Sequence, residues 1–292
     1  MQPSELVKLP QKLCKRDHDM PQEVTFTTPD SITVFGTLHE VQDAEVMAVL
    51  LHGITTDRNE YLNFYDVLAA KLADQNISSL RFDFRGHGAS GEAQKTFSPI
   101  GQVLDLVGAT NFLHGLDDSH KRKLVAFGTS FGAGPAIFLS KLMPQVFSRI
   151  YLLAPVLDYK MTFLEPRTNW AQEYFTPEAI TAAFKCGFLK LDEFDVGLRA
   201  IIEMGLLSPA SVAADIAPLR IRVVHGDADS MVPINQSEEL YRSASNVSFL
   251  KMPGMDHGYN AAGDDDGSTQ QSAQNRLEIV EDFIRFAKGT DA

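Results

Sequence analysis

The chain of 292 residues, 44% hydrophobic and 22% charged, is long enough for one large or two ordinary globular domains, and its composition excludes the disordered, collagen-like and disulfide-scaffold classes. With 26 Lys and Arg against 38 Asp and Glu it carries a formal charge of −12, which repels phosphate backbones and anionic lipid surfaces, so neither nucleic acid nor membrane is expected as a partner. Cys14 and Cys186 have no metal-binding spacing and allow at most one disulfide. Met1 to Asp19 contains no apolar run of signal-peptide length, and no later run approaches the roughly 18 residues of a membrane span, so a soluble, cytoplasmic protein is expected.

An N-terminal arm over 1–22 precedes two β-rich runs, Glu23 to Pro29 and Ile32 to Glu40, whose turn-like junction Pro29-Asp30-Ser31 predicts a leading hairpin. Strands and helices then alternate: strand Val46 to Leu51, helix Tyr61 to Gln75, strand Ile77 to Phe84, helix Ile100 to Leu116, strand Lys123 to Thr129, helix Phe131 to Met143 and strand Arg149 to Val156. The alternation resumes with strand Ile221 to His225, helix Asn235 to Ser245, strand Val247 to Met252 and helix Asn275 to Lys288. Near-continuous apolar strands between helices predict one α/β domain with a mostly parallel sheet covered on both faces. The core occupies 23–156 and 219–292. Between them, 157–218 is far longer than an ordinary α/β connection and carries Trp170, Tyr174, Phe175, Phe184, Phe188 and Phe194, which suits a cap or lid inserted over a site. The stretch Gly258 to Ala273, with Asp264-Asp265-Asp266, reads as an exposed mobile loop.

The sharpest local signal is Gly128-Thr129-Ser130-Phe131-Gly132, a G-x-S-x-G pattern where a strand meets a helix. Such a turn strains the serine backbone, the flanking glycines remove side chains that would collide, and the hydroxyl emerges at a helix N-terminus that favours developing negative charge. A serine is a weak nucleophile unless a base, itself oriented by a third group, takes its proton. Asp227 and Asp229 follow one predicted core strand and His257 follows the next, and strand ends on one edge of a parallel sheet lie close in space. Acyl transfer also needs two N–H donors for the oxyanion, of which Phe131 supplies one by position. His52 and His87 have neither the histidine nor the cysteine spacing of a metal site. Arg81, Asp83, Arg85 and His87 are expected to form a polar network bracing the turn after their strand, and His225 to be a structural hydrogen-bonding residue.

In the order in which they occur, Leu51-His52-Gly53-Ile54-Thr55, Ser79 to Gly88, the G-x-S-x-G element, His225-Gly226-Asp227-Ala228-Asp229 and Asp256-His257-Gly258 resemble the α/β-hydrolase superfamily over about Glu23 to Lys288, and within it the cinnamoyl or feruloyl esterase-like carboxylesterases. The resemblance implies Ser130 as nucleophile, His257 as general base and Asp229 as the orienting acid, since related sequences place the acid three residues after the strand-ending glycine and ahead of a Val-Pro such as Val232-Pro233. Asp227 is then a turn carboxylate accepting backbone amides. The resemblance also puts the second oxyanion donor on the Ile54 N–H, where Gly53 permits close approach. Two features depart from the pattern: Thr129 stands where histidine is common, and the loop after His257 is long and acidic, which would shape the mouth of the site or disfavour anionic substrates. The expected activity is hydrolysis of carboxylic esters of small to medium substrates with an apolar or aromatic part through an acyl-enzyme, with no cofactor and no metal. The same residues would serve a thioesterase, amidase or peptidase, and a non-catalytic binding module or interaction subunit on this scaffold is the reading from a different class.

Overall fold

The computed structural model describes residues 20–90, 93–116 and 122–290. Residues 1–19 of the expected N-terminal arm, with Cys14, lie outside the described residues. Strands β1 (Gln22–Thr27) and β2 (Thr33–His39) form the leading hairpin, paired from Gln22 opposite Leu38 to Thr27 opposite Thr33. Then come β3 (Val46–Leu51), helix α1 (Phe64–Asp74), β4 (Ser78–Phe82), α2 (Pro99–Gly115), β5 (Lys123–Thr129), α3 (Ala133–Leu142) and β6 (Arg149–Leu153). The segment 157–218 holds α4 (Asn169–Tyr174), α5 (Pro177–Cys186), a small antiparallel pair β7 (Phe188–Leu191) and β8 (Phe194–Gly197), α6 (Leu198–Leu206) and α7 (Pro209–Ala213). The chain closes with β9 (Arg220–Gly226), α8 (Asn235–Ser243), β10 (Val247–Met252) and α9 (Gln270–Lys288). Among the described residues no helix is long and apolar enough to cross a membrane.

The main sheet has eight strands in the order β1-β2-β4-β3-β5-β6-β9-β10, antiparallel where β2 meets β1 and β4 and parallel from β4 to β10. From β3 the chain moves to one side, to β4; from β5 it moves to the other, to β6. The neighbours β3 and β5 therefore form the topological switch, and the loops leaving their C-terminal ends open a crevice between them. One face of the sheet packs against α2, α3 and α8 through Leu106, Ile137 and Leu240, the other against α1 and α9 through Tyr65, Leu68 and Phe283. The central parallel strands β3, β4 and β5 are buried on both faces, which explains their largely apolar sequences.

Two predicted helices change at their starts. The first begins at Phe64 instead of Tyr61, because Glu60, Leu62 and Asn63 take positive φ and cannot join a regular helix. The last begins at Gln270 instead of Asn275, because Thr269 caps it by accepting the Ser272 N–H. The stretch Gly258 to Ala273 is exposed at Ala262, Gly263, Asp265 and Asp266, and within it the Asp264 carboxylate accepts the N–H groups of Ser268 and Thr269 and the hydroxyls of Thr269 and Ser272. Arg81, Asp83, Arg85 and His87 do not form one network. The strand ends at Phe82, so period-two alternation stops: Arg81 pairs with Asp66 on α1, while Arg85 turns to the opposite face and lies between Asp30 and Asp105.

The aromatic residues of 157–218 mostly pack among themselves and onto the core. Phe163, Phe175 and Phe194 are buried with Phe97 and Phe131, whereas Phe184 is 59% exposed. Phe175→Ala is expected to destabilise the fold by about 3–5 kcal/mol in chemical denaturation, and Phe184→Ala by less than about 0.5 kcal/mol. Equal effects would contradict this packing.

Candidate active site

Ser130 sits where β5 turns into α3, with φ of 52°, a left-handed backbone that costs a serine about 1–3 kcal/mol and persists only when its surroundings enforce it. The enforcement is close packing at the two glycines. A Cβ on Gly128 would stand 2.6 Å from the Gly132 carbonyl oxygen, and one on Gly132 would fall against the carbonyls of Leu51 and His52 at the end of β3. Gly132 itself has φ of −65°, so it is needed for close approach and not for a special dihedral. The Ser130 carbonyl accepts the Val156 N–H at 3.0 Å, which ties the turn to the segment after β6. Thr129, the departure from the family pattern, shares a 2.7 Å hydrogen bond with the Tyr65 hydroxyl, which also donates to the Leu51 carbonyl.

Ser130, His257 and Asp229 come together across three loops. His257 Nε2 lies 3.0 Å from Ser130 Oγ and its Nδ1 2.8 Å from Asp229 Oδ2. Because the carboxylate only accepts, the Nδ1 carries the proton and the Nε2 is left to accept from the serine hydroxyl. Asp229 is buried and fully satisfied: Oδ1 accepts the N–H groups of Met231 and Val232 at 2.9 and 2.8 Å, and Oδ2 also accepts from His225 Nε2 at 3.0 Å. Burial opposes its charge, but His257 and His225 outweigh that and hold the carboxyl well below the usual range. Burial likewise disfavours a charged His257, and the Asp229 charge and hydrogen bond overcome it, so its pKa lies above the ordinary 6.5.

His225 is the structural hydrogen-bonding residue expected, with a task the sequence gives no sign of. Its Nε2 faces two acceptors, Asp229 Oδ2 and the Val232 carbonyl at 3.1 Å, so that nitrogen is the donor and Nδ1 accepts from Ser237 Oγ at 2.7 Å. Asp227 behaves as the turn carboxylate predicted, accepting the Gly254 N–H at 2.7 Å. Asp256 joins the loops that carry Asp229 and His257, since its Oδ1 accepts from Ser230 N, Ser230 Oγ and His257 N at 2.8, 2.9 and 2.7 Å.

Ile54 lies just beyond β3 and lines the same cleft as Ser130 and His257, while Phe131 is wholly buried, its ring stacked 4.6 Å from Tyr159. The backbone of Phe131 follows Ser130 at the start of the helical segment. The histidine before the glycine is fully engaged: His52 Nε2 accepts the Phe84 N–H at 3.0 Å, so Nδ1 is the donor to the Gly53 carbonyl at 2.7 Å. Burial pushes His52 down to about 4 and His87 to about 3, so both rings are neutral at physiological pH. Glu60, which no motif announces, is buried at the wall of the cleft and accepts the Gly53 N–H at 2.8 Å.

The cleft encloses about 370 Å³. Its lining includes the apolar residues Phe163, Trp170, Val156, Met231 and Val232 and the acidic residues Asp256, Asp264 and Asp265. Of the residues predicted from 157–218, Trp170 reaches the cleft; among the described residues no Lys or Arg lines it.

The fold is that of the α/β hydrolases. Residues 42–185 match a family model described as serine aminopeptidase, S33. Solved structures with the same fold include Est1E from Butyrivibrio proteoclasticus with ferulic acid bound, at TM-score 0.71 and 16% identity, covering 90% of this chain and 98% of that one. An esterase of Pyrococcus furiosus superposes at TM-score 0.65 with 19% identity, covering 98% and 96%. The uncharacterized protein YfhR of Escherichia coli K12 is 29% identical over 177 residues, 61% of this chain, and its counterpart in the O157:H7 strain is 28% identical over the same length. The match spans about half, 51%, of the length of those relatives.

Removing the Asp229 charge leaves burial to dominate at His257. An NMR titration of its ring protons is expected to give a pKa above 6.5 in the native chain and a clearly lower one in Asp229→Asn. An unchanged midpoint would show that Asp229 does not control this ring.

Proposed function

We propose that the cleft is the active site of a serine hydrolase acting on carboxylic esters, with Ser130 as nucleophile, His257 as general base and Asp229 as the group that orients it. One observation carries this reading: the unbroken line of hydrogen bonds from Asp229 through His257 to Ser130 Oγ, ending on a strained serine at a helix start. Ser130 Oγ attacks the acyl carbon as His257 Nε2 takes its proton, and the tetrahedral oxyanion is received by the N–H groups of Ile54 and Phe131. His257 then protonates the departing alcohol; in the second half His257 takes a proton from water as the water oxygen attacks the acyl carbon, and returns it to Ser130 Oγ as the acyl–oxygen bond to the serine breaks and the acid leaves. Each oxyanion donor is worth about 3 kcal/mol of transition-state stabilisation.

The apolar lining by Phe163, Trp170 and Met231 suits an acyl or alcohol group with an aromatic or aliphatic body, and the bound ferulic acid in Est1E supports an aromatic one. The carboxylates in this lining, with no Lys or Arg among the described residues that line the cleft, favour neutral over anionic esters. In this reading 157–218 serves as a cap, since Phe163 and Trp170 come from it. The serine aminopeptidase model supports amide or peptide cleavage as the second reading.

A fluorophosphonate followed by intact-mass analysis tests the proposal, alongside turnover of p-nitrophenyl acetate and butyrate, an anionic p-nitrophenyl ester, an acyl thioester and an aminoacyl anilide. Single labelling that is lost in Ser130→Ala is expected, with ester turnover reduced at least about 10³-fold. Labelling with anilide cleavage exceeding ester cleavage would select the second reading. A folded chain that neither labels nor turns over any substrate would leave a binding module.

A further inference from the structure

The Gly53 carbonyl and the Ile54 N–H belong to one planar peptide unit, so whatever fixes the carbonyl also aims the N–H, which points the opposite way. That carbonyl accepts from His52 Nδ1 at 2.7 Å and from Thr56 Oγ1 at 3.1 Å. The preceding N–H, on Gly53, donates to Glu60 Oε2 at 2.8 Å. These three hydrogen bonds grip successive peptide planes on either side of the Gly53 Cα, restraining the glycine, the most permissive of residues, from swivelling. A Cβ at Gly53 would meet Ser130 Cβ at 3.3 Å, so this peptide passes directly beside the serine.

Glu60 reaches its position at a conformational cost. It has φ of 63°, and Thr55, Leu62 and Asn63 in the same loop also take positive φ, at 68°, 54° and 56°. Core packing does not force this, because Tyr61 and Leu62 are 39% and 42% exposed. What the loop obtains is a carboxylate nearly removed from solvent, 9% exposed, accepting the N–H groups of Gly53 and of Tyr61 at 3.2 Å, with Thr56 Oγ1 at 3.4 Å. Strained, non-glycine backbone retained beside a reactive centre is the pattern of a positioning device.

We propose that Glu60 is a positioning residue for the oxyanion site: its buried carboxylate locks the Gly53 N–H and thereby sets the orientation of the Ile54 N–H toward the acyl oxygen. The role rests on the serine-hydrolase reading of the cleft. Glu60 touches no substrate atom in this scheme. It acts through the backbone, complementing His52 and Thr56, which hold the carbonyl of the next peptide.

The test compares the native chain with Glu60→Ala and Glu60→Gln, with melting temperatures to verify folding. The alanine variant is expected to lose kcat on p-nitrophenyl butyrate at least about tenfold with KM within about threefold, because the lost contact matters most when the oxyanion forms. Glutamine keeps an acceptor for Gly53 and is expected to stay within about threefold of the native kcat. Amide hydrogen exchange at Gly53, which does not pass through turnover, is expected to accelerate in Glu60→Ala and to remain near native in Glu60→Gln. Native kcat in the alanine variant, a glutamine variant as slow as alanine, or unaltered Gly53 exchange in Glu60→Ala would each overturn the role. If the native chain cleaves no ester although Gly53 exchange responds to Glu60→Ala, the reading of the cleft has failed, and the catalytic role of Glu60 falls with it.

Discussion

The constraint on which the rest of the site depends is the buried carboxylate of Asp229. A carboxylate removed from water is tolerated only when its lone pairs are satisfied, and Asp229 receives two backbone N–H groups and two imidazole donors. Each of those bonds fixes something beyond itself. The Met231 and Val232 amides shape the turn after β9, His225 links that turn to Ser237 on α8, and His257 is held with its second nitrogen facing Ser130. Asp256 adds a second brace between the same loops through Ser230. The carboxylate thus organises the loop after β9 and the loop after β10 in one arrangement.

The other half of the site is backbone packing at the switch between β3 and β5. The Ser130 turn presses so closely on the end of β3 that only glycine fits at position 132, and the same closeness brings the Gly53–Ile54 peptide alongside the serine. Tyr65 secures the contact from below by bridging Thr129 and the Leu51 carbonyl. A single side chain on α1 therefore touches both strands that lead into the cleft, and ties the core directly to the turn that carries Ser130.

Much of the fold is legible in the sequence because its signals are local. Apolar strands alternating with helical patterns specify a parallel sheet, and β10 begins and ends where the pattern does. The G-x-S-x-G element is legible because steric demands on a strand-to-helix turn act within five residues. Asp229 was separable from Asp227 only through a family resemblance, since both follow the same strand and their different hydrogen bonds depend on loops far along the chain. Glu60 and the second role of His225 leave no trace in a linear pattern, because their partners are a backbone N–H and a carboxylate brought near by folding. The aromatic content of 157–218 was readable as a count, but not which side chains face the cleft: Trp170 does, Phe163 joins it, and Phe175 and Phe194 are consumed in packing. Composition marks the acidic loop as exposed but does not reveal that Asp264 ties it to the start of α9.

The most direct measurement of the central claim is a crystal structure of the chain after reaction with a phosphonate ester. The account requires a covalent bond to Ser130 Oγ, with the phosphoryl oxygen about 2.7–3.1 Å from both the Ile54 and the Phe131 backbone nitrogens. An adduct on another residue, or a phosphoryl oxygen turned away from those two N–H groups toward solvent, would contradict it.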